Sequence, residues 1–113
     1  MKISMKLNIE PFEMIKNGKK NYELRLFDAK RRTVKVGDAI QFVCSSTGES
    51  LAVKVVEILH FSSFIDLYKA LSPLEIGYTE QNAEKASPDD MLKYYSKEEQ
   101  DCYGVVAFKI ERV

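Results

Sequence analysis

The sequence predicts an α+β domain, a small, partly closed β-barrel of about five or six mostly antiparallel strands, with helices inserted after the first strand and before the last. Three observations point there. Short segments alternate apolar and polar residues with the period of a half-buried strand, and two stretches, one after the first strand and one from Phe61, switch to helical spacing. The chain then closes on an apolar, β-branched run, Tyr103 to Ile110, of the kind that is covered on both faces and lies inside a sheet.

Each element follows from its own residues. Ser4 to Ile9 alternates, placing Met5, Leu7 and Ile9 on one side and Ser4, Lys6 and Asn8 on the other, which predicts the first strand. A short helix follows: Pro11 suits a first turn, Phe12, Met14 and Ile15 supply an apolar side, and Gly18 is placed to end it in a left-handed cap. Asn21 to Leu26 is a second strand, with Tyr22, Leu24 and Leu26 on one face and Asn21, Glu23 and Arg25 on the other. Asp28 to Lys35 is polar without a period and reads as a loop. Val36-Gly37-Asp38 turns into a strand through Ile40, Phe42 and Cys44, and Ser45 to Glu49 is turn chemistry leading to a long strand, Leu51 to Leu59. From Phe61 the spacing of Phe61, Phe64, Ile65, Tyr68 and Leu71 predicts a helix capped by Ser62 or Ser63 and stopped at Ser72-Pro73. Leu74 to Ala86 is irregular. Ser87-Pro88-Asp89-Asp90 starts another helix with Met91, Leu92 and Tyr95 on its apolar side, and Ser96 to Glu99 repeats the capping-box spacing.

The chain has 113 residues, enough for one domain over 1–113 with its own core and no metal or disulfide staples. No apolar run is long enough to span a bilayer and no signal peptide opens the chain, so a cytoplasmic protein is expected, with no membrane partner. Cys44 and Cys102 read as reduced thiols. Seventeen basic and 17 acidic residues cancel, yet residues 1–60 carry 11 basic against 7 acidic groups and residues 61–113 carry 6 against 10. The neutral total excludes a protein that coats nucleic acid through a long-range field. Local anion binding stays open, because Lys16, Lys19, Lys20, Arg25, Lys30, Arg31, Arg32 and Lys35 face only Glu23 and Asp28 between positions 16 and 35.

The absent motifs narrow the chemistry. One histidine, His60, without a local Cys/His cluster speaks against zinc, so no metal is expected, and His60 itself reads as structural or exposed. There is no P-loop, no dinucleotide fingerprint and no nucleophile elbow, so no cofactor is expected either. What remains is Gly18-Lys19-Lys20-Asn21-Tyr22-Glu23-Leu24-Arg25. Strand parity puts Glu23 and Arg25 on one face, roughly 6.5 to 7 Å apart along the strand. Lys20 has the opposite parity and joins them only if the turn after Gly18 twists it inward. Lys20 and Arg25 together can hold a phosphate or carbonyl oxygen while Glu23 accepts from an exocyclic amine or a ribose hydroxyl. The competing reading is a structural ion pair on an edge strand.

Gly18, Lys20, Glu23 and Arg25 spell Gly-x-Lys-x-x-Glu-x-Arg, which resembles the signature of the ASCH domain, a small β-barrel family related to the PUA fold. Pro11-Phe12 with Ile15, Val36 to Phe42, and Tyr103 to Phe108 are similar to that family's pattern as well, so the resemblance covers nearly the whole chain. It implies a PUA-like barrel with a cleft, taking RNA or a nucleoside, lined by Lys20, Glu23 and Arg25 with Gly18 shaping its entry. Some ASCH proteins are amidohydrolases that remove the acetyl group of N4-acetylcytidine with a lysine at the position of Lys20 and a threonine at that of Glu23. A carboxylate cannot replace that hydroxyl as an acyl acceptor, which counts against the same reaction here. Other relatives are described as ribonucleases, in which Glu23 would act as a base and Lys20 and Arg25 would stabilise phosphorane charge.

Further candidates are Arg31 and Arg32 for a backbone phosphate, Tyr94, Tyr95 or Tyr103 for stacking on a base, and Glu75 as a carboxylate able to reach the cleft. Core packing is the competing role for Tyr95 and Tyr103. The leading expectation is a module that binds RNA or a modified nucleoside through Gly18, Lys20, Glu23, Arg25, Arg31, Arg32 and Tyr95. The alternatives are a hydrolase on the same site, with Lys20 and Glu23 catalytic and an RNA or N4-acylated cytidine as substrate, and a protein-interaction module.

Overall fold

A computed structural model describes residues 2–113. Five strands form one sheet: β1 (Lys2–Leu7), β2 (Tyr22–Leu26), β3 (Ala39–Cys44), β4 (Ser50–Phe61) and β5 (Val105–Arg112), in the spatial order β1-β3-β4-β5-β2. The β1–β3 pair is parallel and the other three pairs are antiparallel. The sheet curls into a half-barrel with helices packed on it, an α+β architecture of the PUA-like kind. β4 makes the curl possible. Its first half pairs with β3 and its second with β5, and a register shift between Val55 and Glu57 bends the strand where it changes its main neighbour.

Alternation sorts the apolar residues into two cores. Ile40, Phe42, Val53 and Val106 join Phe12 and Ile15 of α1 (Ile9–Lys16) in one core. Val105 and Ala107 join Tyr22, Leu24 and Leu26, with Phe64 and Leu67 of α3 (Phe64–Ala70), in the other. β5 therefore feeds both, and Val105, Val106, Ala107 and Phe108 have no exposure at all. It lies between β4 and β2, an inner strand as its composition requires. Burying each of the larger side chains contributes about 1.5 to 3 kcal/mol.

Several expectations are corrected. Ile9 does not extend β1; it opens α1 and is exposed, because Asn8 is the extended residue at the helix boundary and Pro11 favours a first turn just beyond it. Asp28 to Lys35 contains a helix, α2 (Ala29–Arg32), held by the Asp28 carboxylate accepting from the Arg31 N–H at 3.1 Å. No residue of α2 is buried, so no apolar period announces it. The predicted helix from Phe61 begins at Phe64 behind the Ser63 cap; Phe61 still belongs to β4, Ile65 is exposed and Leu67 is the buried residue of the last turn. The segment from Pro88 is a 3₁₀-helix (Pro88–Lys93) in which Leu92 faces solvent. A fourth α-helix, α4 (Lys97–Tyr103), carries the expected Ser96–Glu99 capping box, and Tyr103 ends it half exposed rather than entering the core. Gly104, at φ 72°, makes the turn into β5.

The outer strands β1 and β2 leave a seam in the half-barrel that side chains bridge. Arg25 Nη2 on β2 donates to the Lys6 carbonyl of β1 at 3.0 Å, and Lys30 Nζ reaches the Ser4 carbonyl at 3.4 Å. The seam opens toward the site.

Candidate functional site

The sequence around Gly18 folds so as to turn Lys20 inward. α1 ends at Asn17, Gly18 takes φ 74°, and the N–H groups of Lys19 and Lys20 both donate to the Met14 carbonyl, at 2.8 and 3.1 Å. That double contact winds the chain once more before β2 begins. β2 then carries Glu23 opposite Phe108 and Arg25 opposite Val106, on the face of the first core. Glu23 Oε1 accepts from Lys20 Nζ at 3.1 Å and from the Leu24 N–H at 3.2 Å, and Oε2 accepts from Arg25 Nη2 at 3.1 Å. Glu23 is 3% exposed. The three charges the sequence singled out thus meet in one buried cation–anion–cation cluster.

Burial by itself raises the Glu23 carboxyl pKa, but the charges and hydrogen bonds of Lys20 and Arg25 outweigh it and hold the group below the ordinary carboxylate value. Burial likewise opposes the Arg25 charge, and Glu23 more than restores it. At neutral pH the cluster is an ionised carboxylate between two cations.

This cluster lies at the floor of a cleft of about 580 Å³. Lys6, Asn8, Pro11 and Met14 line one side. The other is aromatic: Tyr68 of α3 and Tyr78, Tyr94 and Tyr95 of the segment after it. Tyr95 stacks on Phe64 with ring centroids 6.0 Å apart, and the charge of Arg25 and its own burial both act on its phenol, burial prevailing to raise its pKa. Tyr94 is 61% exposed at the rim. Tyr78 donates to Asp90 Oδ2 at 2.6 Å, and the Tyr68 and Tyr78 hydroxyls are 2.9 Å apart. Gly77, at φ 118°, passes so close to Lys20 that a Cβ there would lie 3.5 Å from the lysine Cδ.

Of the remaining sequence candidates, Tyr94 and Tyr95 line the cleft, and Gly18, Arg31, Arg32, Glu75 and Tyr103 do not. Gly18 borders a second, smaller depression with Ile15, Asn17 and Arg112, so it shapes the site by turning the chain. Arg31 pairs with Asp28 at 3.1 Å, and Arg32 sits 4.4 Å over the Phe27 ring while donating to the Tyr103 carbonyl. Glu75 is bound through its backbone, its carbonyl accepting from the Asn21 N–H at 2.9 Å, and its side chain is not part of the cleft wall. His60 packs its ring 4.4 Å from Phe27, away from the cleft. Sequence reasoning missed Tyr68 as a lining residue, Tyr78, Asp90 and Gly77. The Gly77-Tyr78 pair in an irregular loop was the available signal.

A family model, the ASCH domain, matches residues 5–113. The chain belongs to the ASCH domain family. The crystal structure of hypothetical protein PH0355 is similar to this ASCH chain over 100% of both, with 37% identity and a TM-score of 0.84. The solution structure of protein PF0455 from Pyrococcus furiosus is 34% identical over 100% of this chain and 98% of its own, with a TM-score of 0.77. A mutant ASCH protein from Zymomonas mobilis shares the fold at 16% identity and a TM-score of 0.66, over 97% of this chain and 67% of its own. No curated protein matches the sequence. Among the described residues no helix is long and apolar enough to cross a membrane, and no group of three or more His, Cys, Asp and Glu is placed to hold a metal ion.

Proposed function

We propose that this ASCH chain acts as one domain over residues 1–113 that binds RNA or a modified nucleoside in the cleft, with Lys20, Glu23, Arg25 and Tyr95 as its working residues. The observation that carries the reading is the ionised, 3%-exposed Glu23 clamped by two cations at the floor of an aromatic-walled cleft. A buried ionic triad is a poor source of stability, since apolar residues of the same volume do as well or better. It makes sense as recognition. Glu23 Oε2 has one protein partner, which leaves it a lone pair for a ligand amine or ribose hydroxyl. Lys20 has two further N–H donors for a phosphate or carbonyl oxygen, and the tyrosines offer faces for a base.

The second reading is hydrolysis at the same site, either of RNA or of an N4-acylated cytidine. Its support is the 3.1 Å contact between Lys20 and Glu23 at the cleft floor. Against it, a general base works best with a pKa near the operating pH, and Glu23 is held below the ordinary carboxylate range.

Incubation with N4-acetylcytidine and a short mixed-sequence RNA, read by mass spectrometry and by calorimetry, tests both readings, with Lys20→Ala as the control. Binding without turnover, weakened by Lys20→Ala in a protein that keeps its folded spectrum, is the expected result. Product that disappears in the control moves the site to the hydrolase reading. Absence of both binding and turnover overturns both.

A further inference from the structure

The cleft's aromatic wall contains a hydrogen-bond relay whose direction is fixed by the chemistry of its end. Asp90 Oδ2 accepts from the Tyr78 hydroxyl at 2.6 Å and also from the Ser87 N–H at 3.3 Å, as part of the capping box of the 3₁₀-helix (Pro88–Lys93). A phenol has a single O–H hydrogen. Tyr78 directs that hydrogen to Asp90, so toward Tyr68, 2.9 Å away, it can only accept. Tyr68 must then donate its own hydrogen to Tyr78. What remains on the Tyr68 oxygen is a lone pair. Burial, chiefly, pushes the phenol pKa values of both Tyr68 and Tyr78 upward, so both keep their protons through the neutral range and the relay keeps its direction.

Tyr68, Tyr78 and Asp90 all line the same cleft as Glu23. The other phenol in electrostatic reach of Tyr68 is Tyr94, exposed at the rim. Resting on the nucleoside-binding reading above, we propose that Tyr68 is a specificity-determining residue, set as an obligate acceptor by Tyr78 and Asp90, which makes the cleft select a base bearing an exocyclic amine over one bearing a carbonyl at that position. The floor acceptor, Glu23 Oε2, and the wall acceptor, Tyr68, then ask for N–H donors, while Lys20 takes the anionic or carbonyl part of the ligand. A carbonyl oxygen placed against Tyr68 meets lone pair with lone pair and leaves both unsatisfied in a half-buried wall.

Matched pairs of nucleotides test this: cytidine against uridine 5′-monophosphate, and adenosine against inosine 5′-monophosphate, titrated calorimetrically into the wild-type chain and into Tyr68→Phe and Tyr78→Phe. The readout is the affinity ratio within each pair, which a general loosening of the wall does not change in a fixed direction. The wild type is expected to favour the amino member by about tenfold or more. Tyr68→Phe brings the ratio to near unity. Tyr78→Phe frees the Tyr68 hydrogen to meet a carbonyl, so the preference falls or inverts. A ratio unchanged by Tyr78→Phe in folded protein overturns the relay while leaving nucleoside binding intact. A wild type that binds none of these nucleotides, nor RNA or N4-acetylcytidine, overturns the binding reading itself and this inference with it.

Discussion

The floor and the aromatic wall of the cleft are built by opposite means. The floor rides on β2, whose register with β5 fixes Glu23 opposite Phe108 and Arg25 opposite Val106. Its side chains are ions, and each is held by another ion or by a main-chain group. The wall rides on one short α-helix and on 3₁₀ turns between Pro73 and Lys93, with no strand to pin it. Neutral hydroxyls and capping carboxylates hold it instead: the Tyr68–Tyr78–Asp90 relay and the Ser87 box. The difference teaches where rigidity resides. A sheet can carry charge that would otherwise be costly to bury, because its backbone leaves the charges no room to separate, whereas a turn-built wall depends on directional, individually modest hydrogen bonds.

The sharpest way to break the comparison is to remove the anion of the floor. Glu23→Ala leaves Lys20 and Arg25 facing each other with no counter-ion and is expected to lower stability by about 3 to 5 kcal/mol in urea unfolding, the usual penalty for an orphaned buried charge. A loss under about 1 kcal/mol would mean that the cations simply swing into solvent and that the floor is no more rigid than the wall.

Acid separates the regions next. The folded pKa of Glu23 lies below its unfolded value of 4.5, so its contribution is complete above that value and disappears as pH falls through the folded pKa. Stability of the wild type should therefore fall more steeply below pH 4.5 than that of Glu23→Gln, measured by denaturant midpoints at successive pH values. Parallel curves would place the acid sensitivity elsewhere.

The smallest effect probes the close approach of the wall's Gly77 to the floor's Lys20. Gly77→Ala forces a side chain into φ 118° and sets a methyl 3.5 Å from the Lys20 Cδ. A destabilisation of about 1 to 3 kcal/mol is expected, with Lys20 NMR resonances shifting and those of the β5 core unchanged. Unmoved Lys20 signals would show that wall and floor are mechanically independent.

Much of the floor was legible in the sequence, because strand parity is a local property. Glu23 and Arg25 had to share a face once Tyr22, Leu24 and Leu26 claimed the other, and Gly18 had to cap a helix given Phe12 and Ile15 ahead of it. β5 announced its two-sided burial by its unbroken apolar run. The wall was mostly illegible. Tyr68 read as one of a helical stripe, Tyr78 sat in a loop with no period, and Asp90 read only as a helix-start acid. α2 hid for the same reason, since a helix that buries nothing leaves no pattern.

The sequence by itself determined the α+β class, the family, the strand that carries the charges and the side of it on which Glu23 and Arg25 lie, since periodicity, capping and parity act within a few residues. The tertiary structure alone decided that Lys20 closes on them under Gly77, that Arg25 also bridges the seam to Lys6, and that residues 68, 78 and 90 form one relay beside them. The Gly77–Lys20 approach, the Arg25–Lys6 bridge and the placing of the relay beside the floor join segments far apart in the chain. No local propensity encodes them; they exist because burying two cores on one curled sheet brings those segments together.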